Sequence, residues 1–189
     1  MIEEKKLTIR KRILNLLKNQ KEEERLYKSQ AILKQFFKIP EYSEVKTILF
    51  YFAFGGEVET MEMIKRAQHE GKKVALPFVL LKEKKLIPIL IENLEEDLEH
   101  GPYGIPQPYY NESKILDLKN LDMAVIPGLA FDKRCYRLGR GIGFYDRFLA
   151  RFPQDKKISS VGLAFDFQLV DSLPTQEHDV PVSRVVVNG

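Results

Sequence analysis

The sequence predicts an α/β layered domain built on a mainly parallel sheet, and three observations carry that prediction. Short runs of β-branched and aromatic residues recur along the chain. Segments with helical spacing of apolar residues lie between them, and Gly or Pro closes nearly every run. Strands alternating with helices in this way form parallel sheets covered by helices. No repeat and no linker divides the 189 residues, so a single α/β domain over 1–189 is expected, with a helical segment of about 1–40 packed on it.

The elements follow in order. Ile9, Ile13, Leu16 and Leu17 recur at helical spacing, which predicts a helix over 5–18. Lys6 and Arg10 lie one turn apart on one face of it. A second helix is expected from Lys21 to Phe37, with Pro40 beyond its end. The β-branched and aromatic run Thr47 to Phe54 predicts a buried strand that turns at Gly55-Gly56. Thr60 is placed to cap a helix that carries Met63, Ile64 and Ala67 and stops at Gly71. Val74 to Leu81 and Leu86 to Ile91 read as strands around a Lys-Glu-Lys-Lys turn, with Pro77 and Pro88 suited to strand ends or edges. His100 to Tyr110 holds three Pro and two Gly and reads as a stiff loop without regular structure. Met123 to Ile126 predicts a strand ending at Pro127-Gly128, and a helix is expected from about Phe144 to Arg151. Ile158 to Leu163 and Arg184 to Val187 close the set as strands.

Composition narrows the function. The longest unbroken apolar stretch, Ile48 to Phe54, is far shorter than the ~20 residues of a membrane span. Charges occupy the positions where a signal peptide has its apolar region, so a soluble, cytoplasmic protein with no membrane partner is expected. The single Cys135 excludes an internal disulfide and a cysteine-based zinc cluster. Residues 1–40 carry 11 Lys and Arg against 5 Glu, whereas the other 149 residues carry 19 basic and 22 acidic residues. The basic excess of the first segment suits either a polyanionic partner or solvated amphipathic helices.

Pro127 to Arg147, PGLAFDKRCYRLGRGIGFYDR, is the most informative stretch. It leads from a strand to a helix, the end of an open sheet where ligands gather. Gly139, Gly141 and Gly143 alternate, so no Cβ blocks a ligand from three nearby amides. Successive amides in such a turn form an anion-binding nest, and Arg137 and Arg140 add positive charge to it. The spacing matches neither GxxxxGK[ST] nor GxGxxG, so a polyphosphate site and a strand-to-helix connection that needs glycine both fit it. Two readings also fit Asp146: a carboxylate favoured by the helix dipole, and a Mg²⁺ ligand. Glu57 stands beyond a strand end, where it meets a ligand or water. Glu177, His178 and Asp179 read as a turn with solvated charges.

The chain resembles the 5-formyltetrahydrofolate cyclo-ligase family. The likeness runs from KKLTIRKR through FGGEVET, GIPQP and PGLAFD to RLGRGIGFYDR and EHDVPV, nearly the whole chain. It implies a three-layer α/β/α fold related to the sugar-phosphate isomerase and CoA-transferase group. It also implies the ATP- and Mg²⁺-dependent cyclisation of 5-formyltetrahydrofolate to 5,10-methenyltetrahydrofolate, with release of ADP and phosphate through a phosphorylated formyl group. On this resemblance Lys6 and Arg10 contact ATP, and Arg137, Leu138, Gly139 and Arg140 wrap its phosphates together with Gly141, Ile142, Gly143, Phe144 and Tyr145. Phe52 and Glu57 match folate-contacting positions, as do Arg140, Gly141, Ile142, Gly143 and Phe144. Asp146 and Asp179 would hold Mg²⁺, and Arg140 and Asp146 are the implied catalytic residues. The chain departs from the family pattern at Ile142, where Gly or Lys is frequent, at Phe144, where Tyr is common, and at Cys135, where Gly is usual.

The implied partners are small molecules, 5-formyltetrahydrofolate and ATP, with no nucleic acid and no obligatory protein partner. The alternative on the same scaffold is a non-catalytic folate-binding protein that sequesters its ligand. A nucleic-acid module using the basic helices is disfavoured, because no aromatic stacking surface is interleaved with the basic residues and the rest of the chain is acidic.

Overall fold

The computed structural model describes residues 1–152, 156 and 158–189. Helix α1 covers Ile2–Asn19 and α2 covers Glu22–Phe36. α1 begins earlier than expected, because Glu3 and Glu4 suit the positive end of a helix dipole. Pro40 does more than end α2. It occupies the first turn of an unexpected short helix, α3 (Pro40–Glu44), where its missing N–H leaves no bond unmade. That helix buries Tyr42 edge-on against Phe36 and Phe37.

Strand β1 is Thr47–Leu49, α4 is Met61–His69, β2 is Lys73–Leu80 and β3 is Lys85–Ile91. The strand predicted to reach Phe54 leaves the sheet after Leu49. Phe50, Tyr51 and Phe52 stay buried past the last strand pair. Apolar composition marks burial here, and the chain needs the irregular path to reach the turn at Gly55 and Gly56. Both glycines have positive φ, and a Cβ on Gly56 would lie 2.6 Å from the Leu17 carbonyl oxygen, so only glycine fits. Thr60 precedes α4 but makes no side-chain cap; its hydroxyl donates to the Tyr51 carbonyl instead.

The prolines of β2 and β3 face one another in the antiparallel register, Pro77 opposite Pro88. Neither has an N–H, and a pair whose backbone groups point away from each other needs none. Pro77 also lies beyond Ala75, the last residue of β2 that pairs with β1, so β1 loses no bond. The stretch predicted to be a loop holds a small hairpin, β4 (Leu98–His100) with β5 (Pro106–Pro108). Every second residue of a short hairpin can lack an inward N–H, which is how Pro106 and Pro108 are accommodated in it.

The remaining elements are β6 (Met123–Ile126), β7 (Ala130–Asp132), β8 (Arg137–Leu138), α5 (Phe144–Leu149), β9 (Ser159–Ala164), β10 (Leu169–Val170) and β11 (Arg184–Val187). The main sheet has the order β11-β9-β6-β1-β2-β3 and is parallel except for β3. Its two faces take alternate residues. Ile48, Met123, Val125 and Val161 join Ile13 and Leu17 of α1, Ile32 and Phe36 of α2 and Met63 of α4. Leu49, Ala124 and Ile126 join Phe131 and the α5 residues Phe148 and Leu149. A layered α/β fold with a mainly parallel sheet is therefore present, its second helical layer reduced to α5 and coil. None of the described helices is long and apolar enough to cross a membrane.

Strand order reverses at β1, which has β2 on one side and β6 on the other. The chain leaves β1 and β6 in opposite directions there and opens a crevice beyond their C-terminal ends. A small sheet, β10-β7-β8, stands beside it. Cys135 lies in the β7–β8 turn with φ of +62°, its N–H donating to the Asp132 carbonyl at 2.9 Å. A left-handed conformation strains any residue with a Cβ. Cys135→Gly is expected to stabilise the fold by about 0.5–1 kcal/mol. The urea midpoint should rise at unchanged slope. A lower midpoint would show that packing of the thiol outweighs the strain.

Candidate active site

The crevice is a cleft of about 700 Å³. All of the site residues expected from the sequence border it. Lys6 and Arg10 come from α1, Phe52 and Glu57 from the segment after β1, Arg137 to Asp146 from β8 through α5, and Asp179 from the turn before β11. Helical spacing presents Lys6 and Arg10 on one side of α1. The Lys6 ammonium is almost fully buried and donates to Asp179 Oδ2 at 2.7 Å. Burial pushes the Asp179 carboxyl up, but Lys6 and the Gln176 amide, at 2.8 Å, outweigh it and hold the group below the usual carboxylate range. Arg10 Nε donates to the Gly139 carbonyl at 3.0 Å. Arg10 also lies beside Gly141, whose φ of +116° no side chain adopts readily.

Arg137 is the buried cation of the site, its side chain 2% exposed, and its Nη2 donates to Asp146 Oδ1 at 2.9 Å. Burial pushes its pKa down, opposed by the carboxylate of Asp146. Its Nε is buried and has no hydrogen-bond partner among the described residues. A buried donor left unpaired costs about 1–3 kcal/mol, which the fold carries at this position.

Arg140 joins the two walls. Its Nη2 donates to Glu57 Oε1 at 3.1 Å and to the Phe54 carbonyl at 3.0 Å, and its guanidinium lies 4.8 Å from the centre of the Phe54 ring. Burial pushes the Glu57 carboxyl above the usual range, although Arg140 and the Phe54 amide act in the opposite direction. Glycine is required at the far end of the loop too, because Gly143 precedes α5 with φ of +77°.

Several residues that hold the site together escape the sequence. Arg147 donates through Nη2 to the Ile142 carbonyl and through Nε to the Lys84 carbonyl at 3.0 Å, tying the glycine loop to the β2–β3 turn. Asp132 is buried and accepts from the Arg134 amide and guanidinium, the Tyr136 amide and the Leu173 amide. An aspartate two residues before Arg134 is the available signal, since such carboxylates fold back on their own backbone. The β4–β5 hairpin supplies Tyr103, whose φ is +60°, to the opposite wall of the cleft. The family resemblance implies that this Pro- and Tyr-rich stretch lines the site, and Pro102, Tyr103 and Gln107 border the cleft.

Asp146 Oδ2 has no hydrogen-bond partner among the described residues, and Asp179 Oδ1 has only the exposed His178 ring at 3.9 Å. Two carboxylate oxygens with open acceptor capacity, on aspartates paired with Lys6 and Arg137, fit Mg²⁺, which favours one or two carboxylates plus substrate phosphates.

The model of the 5-formyltetrahydrofolate cyclo-ligase family matches residues 2–188. The 5-formyltetrahydrofolate cyclo-ligase of Haemophilus influenzae is 35% identical over 158 residues, 84% of each chain. That of Mus musculus is 31% identical over 87% of this chain and 84% of its own. The solved 5,10-methenyltetrahydrofolate synthetase of Aquifex aeolicus superimposes with a TM-score of 0.83 at 31% identity, over 97% of this chain and 89% of that one. The match of nearly the whole chain, in sequence and in fold, places it: the chain belongs to the 5-formyltetrahydrofolate cyclo-ligase family.

Proposed function

We propose that the protein converts 5-formyltetrahydrofolate and MgATP to 5,10-methenyltetrahydrofolate, ADP and phosphate. The observation that carries the reading is the convergence of Lys6, Arg10, Arg137 and the glycine loop on one cleft with Phe52 and Glu57. A formyl oxygen is a poor leaving group. In the reaction it attacks the terminal phosphorus of ATP and ADP departs. The neighbouring folate amine then attacks the formyl carbon, the C–O bond to phosphate breaks, and the amine proton is released as the ring closes. No protein nucleophile is required.

Phosphoryl transfer needs positioning and charge neutralisation above all. Lys6, Arg10 and Arg137, with the amides of Gly139, Gly141 and Gly143, supply both for the nucleotide. Leu138, Ile142, Phe144 and Tyr145 shape the loop around it. Asp146 and Asp179 would hold Mg²⁺, which supplies neutralisation of phosphate charge when bound. Phe52 and Glu57 face the folate together with the loop from Arg140 to Phe144. Arg140, which reaches from the glycine loop to Glu57, sits where the formyl oxygen and the transferred phosphoryl group meet. Its cation favours the charge that develops there.

Lys6→Ala is expected to raise the KM for ATP by about tenfold or more, since a charge-assisted phosphate contact is lost and Asp179 loses its buried partner. An unchanged nucleotide affinity in a direct titration would refute the assignment. The reading as a whole is tested by an absorbance time course with 5-formyltetrahydrofolate, omitting ATP and Mg²⁺ in turn. Methenyl product that needs both supports the enzyme. Tight folate binding without product or ATP hydrolysis selects the sequestering alternative.

A further inference from the structure

Helix α1 borders the cleft through Glu3, Lys6 and Arg10, and its C-terminal end lies beyond it. At its C-terminal end Gln20 Nε2 donates to the Gly56 carbonyl at 2.7 Å, beside the Glu57 wall proposed for the folate. In the middle Arg10 holds the glycine loop through the Gly139 carbonyl. One turn further, Lys6 holds Asp179. Glu3 also borders the cleft, at the N-terminal end, about 10 Å along the axis from Arg10. If the folate lies at the Glu57 end and the phosphates lie between Arg10 and Lys6, the nucleoside projects toward Glu3.

Glu3 is the cleft carboxylate that neither the folate wall nor the two Mg²⁺-holding aspartates account for. Its side chain is 65% exposed, and its Oε2 stands 3.9 Å from Arg10 Nη1, too far for a hydrogen bond. A negative charge beside a phosphate site weakens that site unless it meets a donor on the ligand. The donors that a nucleoside triphosphate presents beyond its phosphates include the ribose hydroxyls, and a carboxylate is the side chain suited to accept from a vicinal pair. Resting on the reading of the cleft as a nucleotide site, we propose that Glu3 accepts hydrogen bonds from the ribose hydroxyls and sets the preference for a ribonucleotide over a deoxynucleotide.

The test compares ATP, 2′-deoxy-ATP and 3′-deoxy-ATP by steady-state KM and by displacement of a fluorescent nucleotide, in wild type, Glu3→Gln and Glu3→Ala. Glu3 lies exposed in the first turn of α1, and a thermal melt verifies that both variants keep the fold. Wild type is expected to prefer ATP over at least one deoxy analogue by about tenfold. Glu3→Ala should raise the ATP value to that of the analogue, so that the ratio falls to about one, with Glu3→Gln between the two. Equal affinity of wild type for all three nucleotides overturns the proposal. So does a Glu3→Ala effect of equal size on ATP and both analogues, which would mean that Glu3 acts only through the charge of Arg10. Absence of any nucleotide binding by wild type would instead remove the underlying reading, and the proposal with it.

Discussion

Asp146→Asn is expected to lower turnover by about 10²–10³-fold while the protein still folds. The substitution keeps the shape of the side chain and an oxygen for Arg137 Nη2, now 2.9 Å away, but removes the charge. Two consequences separate. The first is catalytic: a neutral amide is a poor ligand for Mg²⁺, so the loss should shrink as Mg²⁺ is raised and persist at saturating ATP. The second is structural: Arg137 is nearly fully buried, and it would face an uncharged acceptor. A cost of about 1–3 kcal/mol follows, read as a lower urea midpoint. Undiminished Mg²⁺-dependent activity in a folded Asp146→Asn protein would sink the metal-holding role.

Arg140→Ala should reduce turnover by about 10²–10³-fold, since it removes the cation that the glycine loop extends to the folate wall. Arg140→Lys should recover only a small part, because an ammonium cannot span Glu57 Oε1, the Phe54 carbonyl and the Phe54 ring together. The pH dependence of stability supplies an independent readout. Glu57 titrates above the usual range because burial disfavours its charged form more than Arg140 favours it. Its contribution is full below the ordinary glutamate pKa and is lost as pH rises through the raised folded value. Removing Arg140 raises that value further, so Arg140→Ala should lose stability with rising pH more steeply than wild type. A parallel pH profile for the two proteins would contradict the Glu57–Arg140 coupling, and full activity in Arg140→Ala would remove it from the catalytic centre.

Helix and strand positions are largely legible because periodicity reports which face is buried. Ile13 and Leu17, or Met63, Ile64 and Ala67, pack where their spacing predicts. Phe50 to Phe52 read as strand in the sequence because burial and β pairing have the same composition, and only the position of the Gly55-Gly56 turn decides between them. The β4–β5 hairpin is hidden by its prolines, which forbid inward N–H bonds at their own positions but leave those of Glu99 and Gln107 available. Within the site, the alternating glycines and Asp146 can be nominated from sequence because backbone access and charge are local properties. The pairing of Lys6 with Asp179 spans 173 positions, and that of Arg140 with Glu57 spans 83, so neither leaves a local trace. Arg147, which holds two backbone carbonyls, looks in the sequence like any solvated helix residue.

The central claim is that the formyl oxygen leaves the folate as part of the phosphate. Substrate carrying a heavy-oxygen label in the formyl group, turned over with unlabelled MgATP, tests it most directly. Mass spectrometry should find one labelled oxygen in each inorganic phosphate released and none in ADP. Label appearing in water, with the phosphate unlabelled, would mean that the ring closes without phosphorylation of the formyl group, and Arg137, Arg140 and the glycine loop would then lose their roles in phosphoryl transfer.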